Sequence, residues 1–243
     1  MQTRNNLTRT VCSGERTADK SAVGTVAWNV LLAGLLALAI WAIFLFAPTE
    51  QTMGQAQRIV YVHVSVAWLG LLGLLVMAAS GTGYLVRRNL AWDHWLQAAG
   101  ELGWLCCGLT LITGSLWAHE AWGTWWEWDP RLTTSFILWA IYSGILIVRA
   151  SVEDPHRRAR IGAVLAILGT LDTPLVVMAT RWFRGLHPVS PQMEPTMRIA
   201  LLISVIGFSA LFATLLVRRR RQLDLERVTG ELQRHTSSRA SAP

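Results

Sequence analysis

VAWNVLLAGLLALAIWAIFLF, Val26 to Phe46, holds no charged side chain across 21 residues. At about 1.5 Å of helical rise per residue this run spans about 30 Å, the thickness of a bilayer's hydrocarbon core. Five further apolar runs follow: Val60–Val86, Leu96–Leu116, Leu132–Val148, Ile161–Ala179 and Ile199–Val217. In lipid an unpaired backbone amide or carbonyl is too costly, so each run is expected to be a helix. The expected fold is all-α: a polytopic membrane protein of six transmembrane helices spanning 26–217, between polar tails at 1–25 and 218–243. The second run is long enough for one end to project past the bilayer as helix. The last tail is expected to continue briefly as helix and then lose order.

Composition agrees. Of the 243 residues, 52% are hydrophobic and 15% charged, where soluble domains carry about 25% charged residues. The formal net charge of +7 does not make a nucleic-acid surface, because the basic residues sit in the gaps between apolar runs. The first run starts after more than twenty polar residues, too late and too long for a cleaved signal peptide. Neither end carries a lipidation motif. No internal repeat argues for an inverted-repeat transporter.

The gaps also orient the chain. One side receives 17 of the 22 Lys and Arg residues, and the other receives only Arg58, Arg131, Arg181, Arg184 and Arg198. Positive charge stays on the cytoplasmic side. Both termini are therefore expected in the cytoplasm, with segments 47–59, 117–131 and 180–198 facing outward.

The second outward segment reads WAHEAWGTWWEWDPRLT from Trp117 to Thr133. It contains Trp117, Trp122, Trp125, Trp126 and Trp128, five of the thirteen tryptophans within twelve residues. An interfacial aromatic belt places one or two such residues at a helix end. Five of them, with Gly123 allowing a tight backbone path, describe a surface built against something large, flat and apolar. Asp129 is placed to cap the helix after it, which is compatible with shaping a site. Arg131 is either a solvated boundary charge or a partner for an anionic group on a ligand.

Six histidines occur. By the charge count His94, His156 and His235 fall on the cytoplasmic side, where solvated roles are expected. The outward set is His63 in RIVYVHVSVAW, His119 within the tryptophan segment, and His187 in RWFRGLHPVS. A flat apolar ligand with an acidic edge that also needs imidazoles is haem. His63 and His187 are the expected axial pair, with His119 as competitor. HExxH and HxxxH are absent, which disfavours zinc. Cys12, Cys106 and Cys107 form no CxxC and read as small apolar fillers. Asp172, beside Thr173 and Pro174 in the fifth run, is either a functional intramembrane carboxylate or a boundary residue at a proline kink.

WGTWWEWDPRLT, Trp122 to Thr133, resembles the tryptophan-rich signature of the WWD haem-handling proteins of cytochrome c biogenesis. With six spans, the chain's length and its two flanking histidines, the likeness within that superfamily is to the heme exporter protein C (CcmC) family. The resemblance implies binding of haem b on the outer face of the cytoplasmic (inner) membrane. His63 and His187 would be the axial iron ligands, and Trp117, Trp122, Trp125, Trp126, Trp128 and Asp129 the platform. It implies delivery to the haem chaperone CcmE, alongside the ABC-type complex CcmA/CcmB and the small helper CcmD. Basic groups such as Arg58, Arg131 and Arg184 would face the propionates. No catalytic nucleophile is called for, so a binding and transfer protein is expected rather than an enzyme. Two rival readings are a subunit of a haem transporter and a CcsA-like lyase acting directly on apocytochrome c. The further spans of the larger relatives CcmF and CcsA are missing from this chain.

Overall fold

The computed structural model describes residues 23–187 and 193–240. Cys12 and most of the N-terminal tail lie outside the described residues, as does the side chain of His235. Helices account for the whole architecture among the described residues: α1 Val23–Phe46, α2 Ile59–Arg87, α3 Leu90–Trp122, α4 Pro130–Ala150, α5 Pro155–Gly169, α6 Asp172–Trp182 and α7 Pro195–Ala240. Six segments are long and apolar enough to cross a membrane, with α5 and α6 together forming one of them. The chain is a multi-pass membrane protein.

Local chemistry sets the helix ends. Asn89, Asp129 and Asp154 accept backbone N–H groups at the starts of α3, α4 and α5. Pro130 and Pro155 occupy first-turn positions where no N–H is needed. Gly123, at φ +73°, closes α3 in the left-handed conformation and gives its N–H to His119 O at 2.9 Å. Between α1 and α2, Glu50 accepts the N–H groups of Thr52 and Met53. The Met53 bond is the main reason its carboxyl titrates below the usual carboxylate range.

α2 is the centre of the bundle, packing on α3, α5 and α7. Small residues bring its backbone close to its neighbours, as expected where lipid offers no hydrophobic drive to helix association. A Cβ on Gly73 would fall 2.9 Å from Gly103 Cα of α3, and one on Gly81 would fall 2.9 Å from Ala163 Cα of α5. Tyr142 of α4 reaches into the α2–α3 seam, where its hydroxyl donates to Gly70 O at 2.8 Å. α1 lies on α7, joined by Trp28 Nε1 donating to Thr214 Oγ1 at 2.9 Å and by the close approach of Gly207 to Ala39.

Three expectations change. The tail after 217 is helical as far as Ala240, as the end of α7. In the fifth span a tightened turn at Thr170 and Leu171, both with helical backbone angles, joins α5 to α6 four residues before Pro174, in keeping with a proline kink. α3 extends to Trp122, so of the expected segment 117–131 only 123–129 lies outside helix. His94 is not solvated. It is 7% exposed and its Nδ1 pairs with Asp224 of α7. The continuation of α7 past the apolar run brings that carboxylate onto the first turns of α3. His156 is exposed as expected, with Nδ1 3.1 Å from the Tyr84 hydroxyl.

Candidate functional site: a tryptophan-walled cavity

An apolar cavity, open at its mouth, lies between α2, α3, α4, α6 and the segment after α6. α2 presents Val60, His63, Val64, Ala67 and Leu71 to it, a stripe at three- and four-residue spacing. His63 is therefore on the face of its helix turned into the bundle, not toward lipid.

The His63 ring is fixed from behind. Its Nδ1 lies 3.0 Å from Thr113 Oγ1 of α3, and the Thr113 hydroxyl lies 2.7 Å from Leu109 O. With the hydroxyl proton directed at Leu109 O, the imidazole donates from Nδ1 and keeps its lone pair on Nε2. This is the tautomer a metal-ligating histidine needs. Gly114 gives the ring its room, since a Cβ there would sit 3.0 Å from His63 Cε1.

His187 reaches the same cavity from the segment after α6. Asp129 places that segment: Oδ1 accepts Leu132 N–H at 2.8 Å, capping α4, and Oδ2 accepts His187 N–H at 3.0 Å. The carboxylate is 8% exposed. The capping role and the site-shaping role thus belong to one residue.

The five tryptophans divide. Trp117, Trp122 and Trp126 wall the cavity, with Trp117 edge-on to Trp122 at 5.2 Å between ring centroids. Trp125 and Trp128 stand outside it. They line an open groove with Trp126 and Phe136 and are 55% and 70% exposed. His119 is held there too, stacked on Trp125 at 4.1 Å and 3.5 Å from Glu120 Oε1.

Of the three arginines expected near an anionic edge, only Arg131 lines the cavity. Arg58 is otherwise engaged. It donates to Ile43 O in the π-helical last turn of α1, Ala42–Phe46, and to Gln55 Oε1 at 2.5 Å, so it fastens α1 to the start of α2. Arg184 is exposed. Gln57, only 7% exposed, lines the cavity beside them. Sequence reading passed over it, although it falls on the helical face that His63 defines.

Two imidazoles from separate segments, three indoles and one guanidinium thus open into a single apolar space. A model of the family described as heme exporter protein C matches residues 11–235. The chain belongs to that family. It is 36% identical to heme exporter protein C of Bradyrhizobium diazoefficiens over 212 residues, covering 84% of this chain and 80% of the relative. It is 34% identical to heme exporter protein C of Rhodobacter capsulatus over 199 residues, 79% and 80% of the two chains. Against the Escherichia coli K12 protein of that name the identity is 34% over 192 residues, 76% and 77% of the two chains. Membership in the heme exporter protein C family implies a role in haem handling for cytochrome c maturation.

Proposed function

We propose that this protein holds haem b at the outer face of the cytoplasmic membrane and hands it to the periplasmic chaperone CcmE, working beside CcmA, CcmB and CcmD. The observation that carries the reading is the opening of His63 and His187 into one cavity walled by Trp117, Trp122 and Trp126. The two imidazoles are the axial ligands. The indoles lie against the porphyrin, and Arg131 takes a propionate through charge-assisted hydrogen bonds. Haem is here the cargo, and its iron is what two imidazoles can grip. Thr113 and Asp129 keep the ligands in place, one through the His63 ring and the other through the His187 backbone. Trp125 and Trp128, exposed outside the cavity, belong to the surface that meets the acceptor.

The distribution of charge supports the outward side. The tryptophan segment lies at the end of the bundle that is poor in Lys and Arg, and α7 carries Arg218 to Arg221 at the other end. An outward site suits an outward acceptor.

The test is an absorption spectrum of the detergent-purified protein. A low-spin Soret and α/β pattern typical of two imidazole ligands is expected, lost in His63→Ala and in His187→Ala. Unchanged haem binding in the double variant overturns the assignment. Incubation with CcmE or with apocytochrome c, followed by asking which of them carries the haem, separates delivery to the chaperone from direct ligation.

A further inference from the structure

Gln57 lies in the 3-10 turn Gln55–Arg58 that leads into α2, and it is 7% exposed. The other polar side chains of that turn are engaged elsewhere. Arg58 donates to Ile43 O and to Gln55 Oε1, and Gln55 Nε2 donates to Thr49 Oγ1 at 3.3 Å. Of the four residues in the turn, Gln57 is the one that lines the cavity. Among the described residues its side-chain amide makes no hydrogen bond. An amide this buried calls for a partner, and the cavity it lines is where that partner fits.

Position narrows what the partner is. Gln57 precedes His63 by six residues, which sets it about 9–12 Å nearer the end of the bundle where α2 begins. Arg131, in the first turn of α4, lines the cavity at the same end. Farther along, α2 contributes Ala67 and Leu71, and α4 contributes Leu138. The amide and the guanidinium therefore stand at one end of the cavity, with aliphatic side chains toward the other. Haem carries methyl and vinyl groups around most of its rim, and its only polar substituents are the propionates. We infer that Gln57 is a binding residue for haem, its Nε2–H donating to one propionate while Arg131 holds the other. The inference rests on the haem reading above.

The contact does something the axial ligands cannot. Two imidazoles alone leave a porphyrin free to turn about the axis through its iron. Donors on separate helices, each holding one carboxylate of the same edge, remove that freedom and fix which edge faces the end of the bundle. A neutral amide does so with a weaker bond than a second guanidinium would make, which suits cargo that has to leave again.

The experiment is a titration of the full-length protein in detergent, followed at the Soret band, with haemin and with iron(III) octaethylporphyrin, whose rim carries only ethyl groups. Gln57→Leu keeps a side chain of similar bulk without the amide. It is expected to bind haemin at least about tenfold more weakly than wild type, as for a hydrogen bond to an ionised partner, and to keep the two-imidazole spectrum. Binding of the octaethylporphyrin is expected to be the same in both proteins. Gln57→Asn, the shorter amide, is expected to fall between wild type and Gln57→Leu for haemin. Equal losses for the two porphyrins mean that Gln57 shapes the cavity rather than holds a carboxylate, and overturn the inference. Unchanged haemin affinity in Gln57→Leu overturns it too. Both results leave the axial assignment of His63 and His187 standing. A wild type that never shows a two-imidazole spectrum overturns the haem reading, and this inference with it.

Discussion

One carboxylate, Asp129, accepts the backbone N–H of His187 at 3.0 Å and that of Leu132 at 2.8 Å. The residue that starts α4 is thereby the residue that sets where His187 enters the cavity. Gly185 completes the fit, since a Cβ there would come 2.9 Å from Asp129 Oδ2. Asp129→Ala removes the cap, at a cost of about 1 kcal/mol, and leaves two N–H groups without their acceptor. Haemin titration followed at the Soret band is expected to show at least tenfold weaker binding with helical circular dichroism preserved. Asp129→Asn, with one acceptor oxygen left, is expected to fall between. Affinity at the wild-type level in Asp129→Ala means that His187 does not depend on this anchor.

Thr113 has the corresponding role for His63. Replacing it by valine keeps the shape but removes the oxygen 3.0 Å from Nδ1. The ring then loses both its orientation and its tautomer preference. Partners of this kind typically account for 10- to 100-fold in metal affinity, and Thr113→Val is expected to fall in that range by haemin titration. Thr113→Ser keeps the hydroxyl and is expected to stay within a few-fold of wild type. If valine and serine behave alike, the hydroxyl is not what fixes the ring.

The apolar spans were legible because lipid leaves the backbone one solution and a fixed length. His63 and His187 were legible for a related reason, as imidazoles at the ends of apolar segments beside a dense tryptophan run. What stayed hidden depends on tertiary approach. His94 looks solvated until α7 brings Asp224 to it from 130 positions away. Arg58 looks available to a ligand until the carbonyl of Ile43 claims it. The split of the tryptophans follows from where α3 stops. Its continuation to Trp122 carries Trp117 and Trp122 into the cavity wall, and the turn at Gly123 leaves Trp125 and Trp128 outside. Residue type does not distinguish the two groups, but the helix end does.

That division predicts two phenotypes. Trp122→Ala and Trp126→Ala remove cavity wall and are expected to lower the haem recovered with the purified protein several-fold. Trp125→Ala and Trp128→Ala leave the wall intact. Their Soret spectra are expected to match wild type, while transfer to added CcmE slows. The decisive comparison is haem content against transfer rate across the four variants. Loss of retained haem in Trp128→Ala equal to that in Trp126→Ala contradicts a separation between an inner wall and an outer contact surface.

At the opposite end of the bundle, Asp93 of α3 and Arg149 of α4 form a two-point pair, Nη1 to Oδ1 at 2.6 Å and Nη2 to Oδ2 at 3.2 Å, with side chains 1% and 4% exposed. Arg158 of α5 stands 4.0 Å from the same carboxylate. Gly162 leaves the space the guanidinium fills, because a Cβ there would come 2.4 Å from Arg149 Nη1. Asp93→Ala strands a buried guanidinium beside a second one. Breaking one side of a buried pair costs about 3–5 kcal/mol, so a large fall in the thermal midpoint in detergent is expected. Arg149→Leu combined with Asp93→Ala removes the orphaned charge along with its partner and is expected to recover most of that loss, leaving Arg158 at the half-open rim. The cavity lies at the other end of α3 and α4, so the fraction that remains folded should bind haemin with wild-type affinity in both variants. A double variant no more stable than Asp93→Ala would mean that the pair's geometry, rather than compensation of buried charge, holds these three helices together.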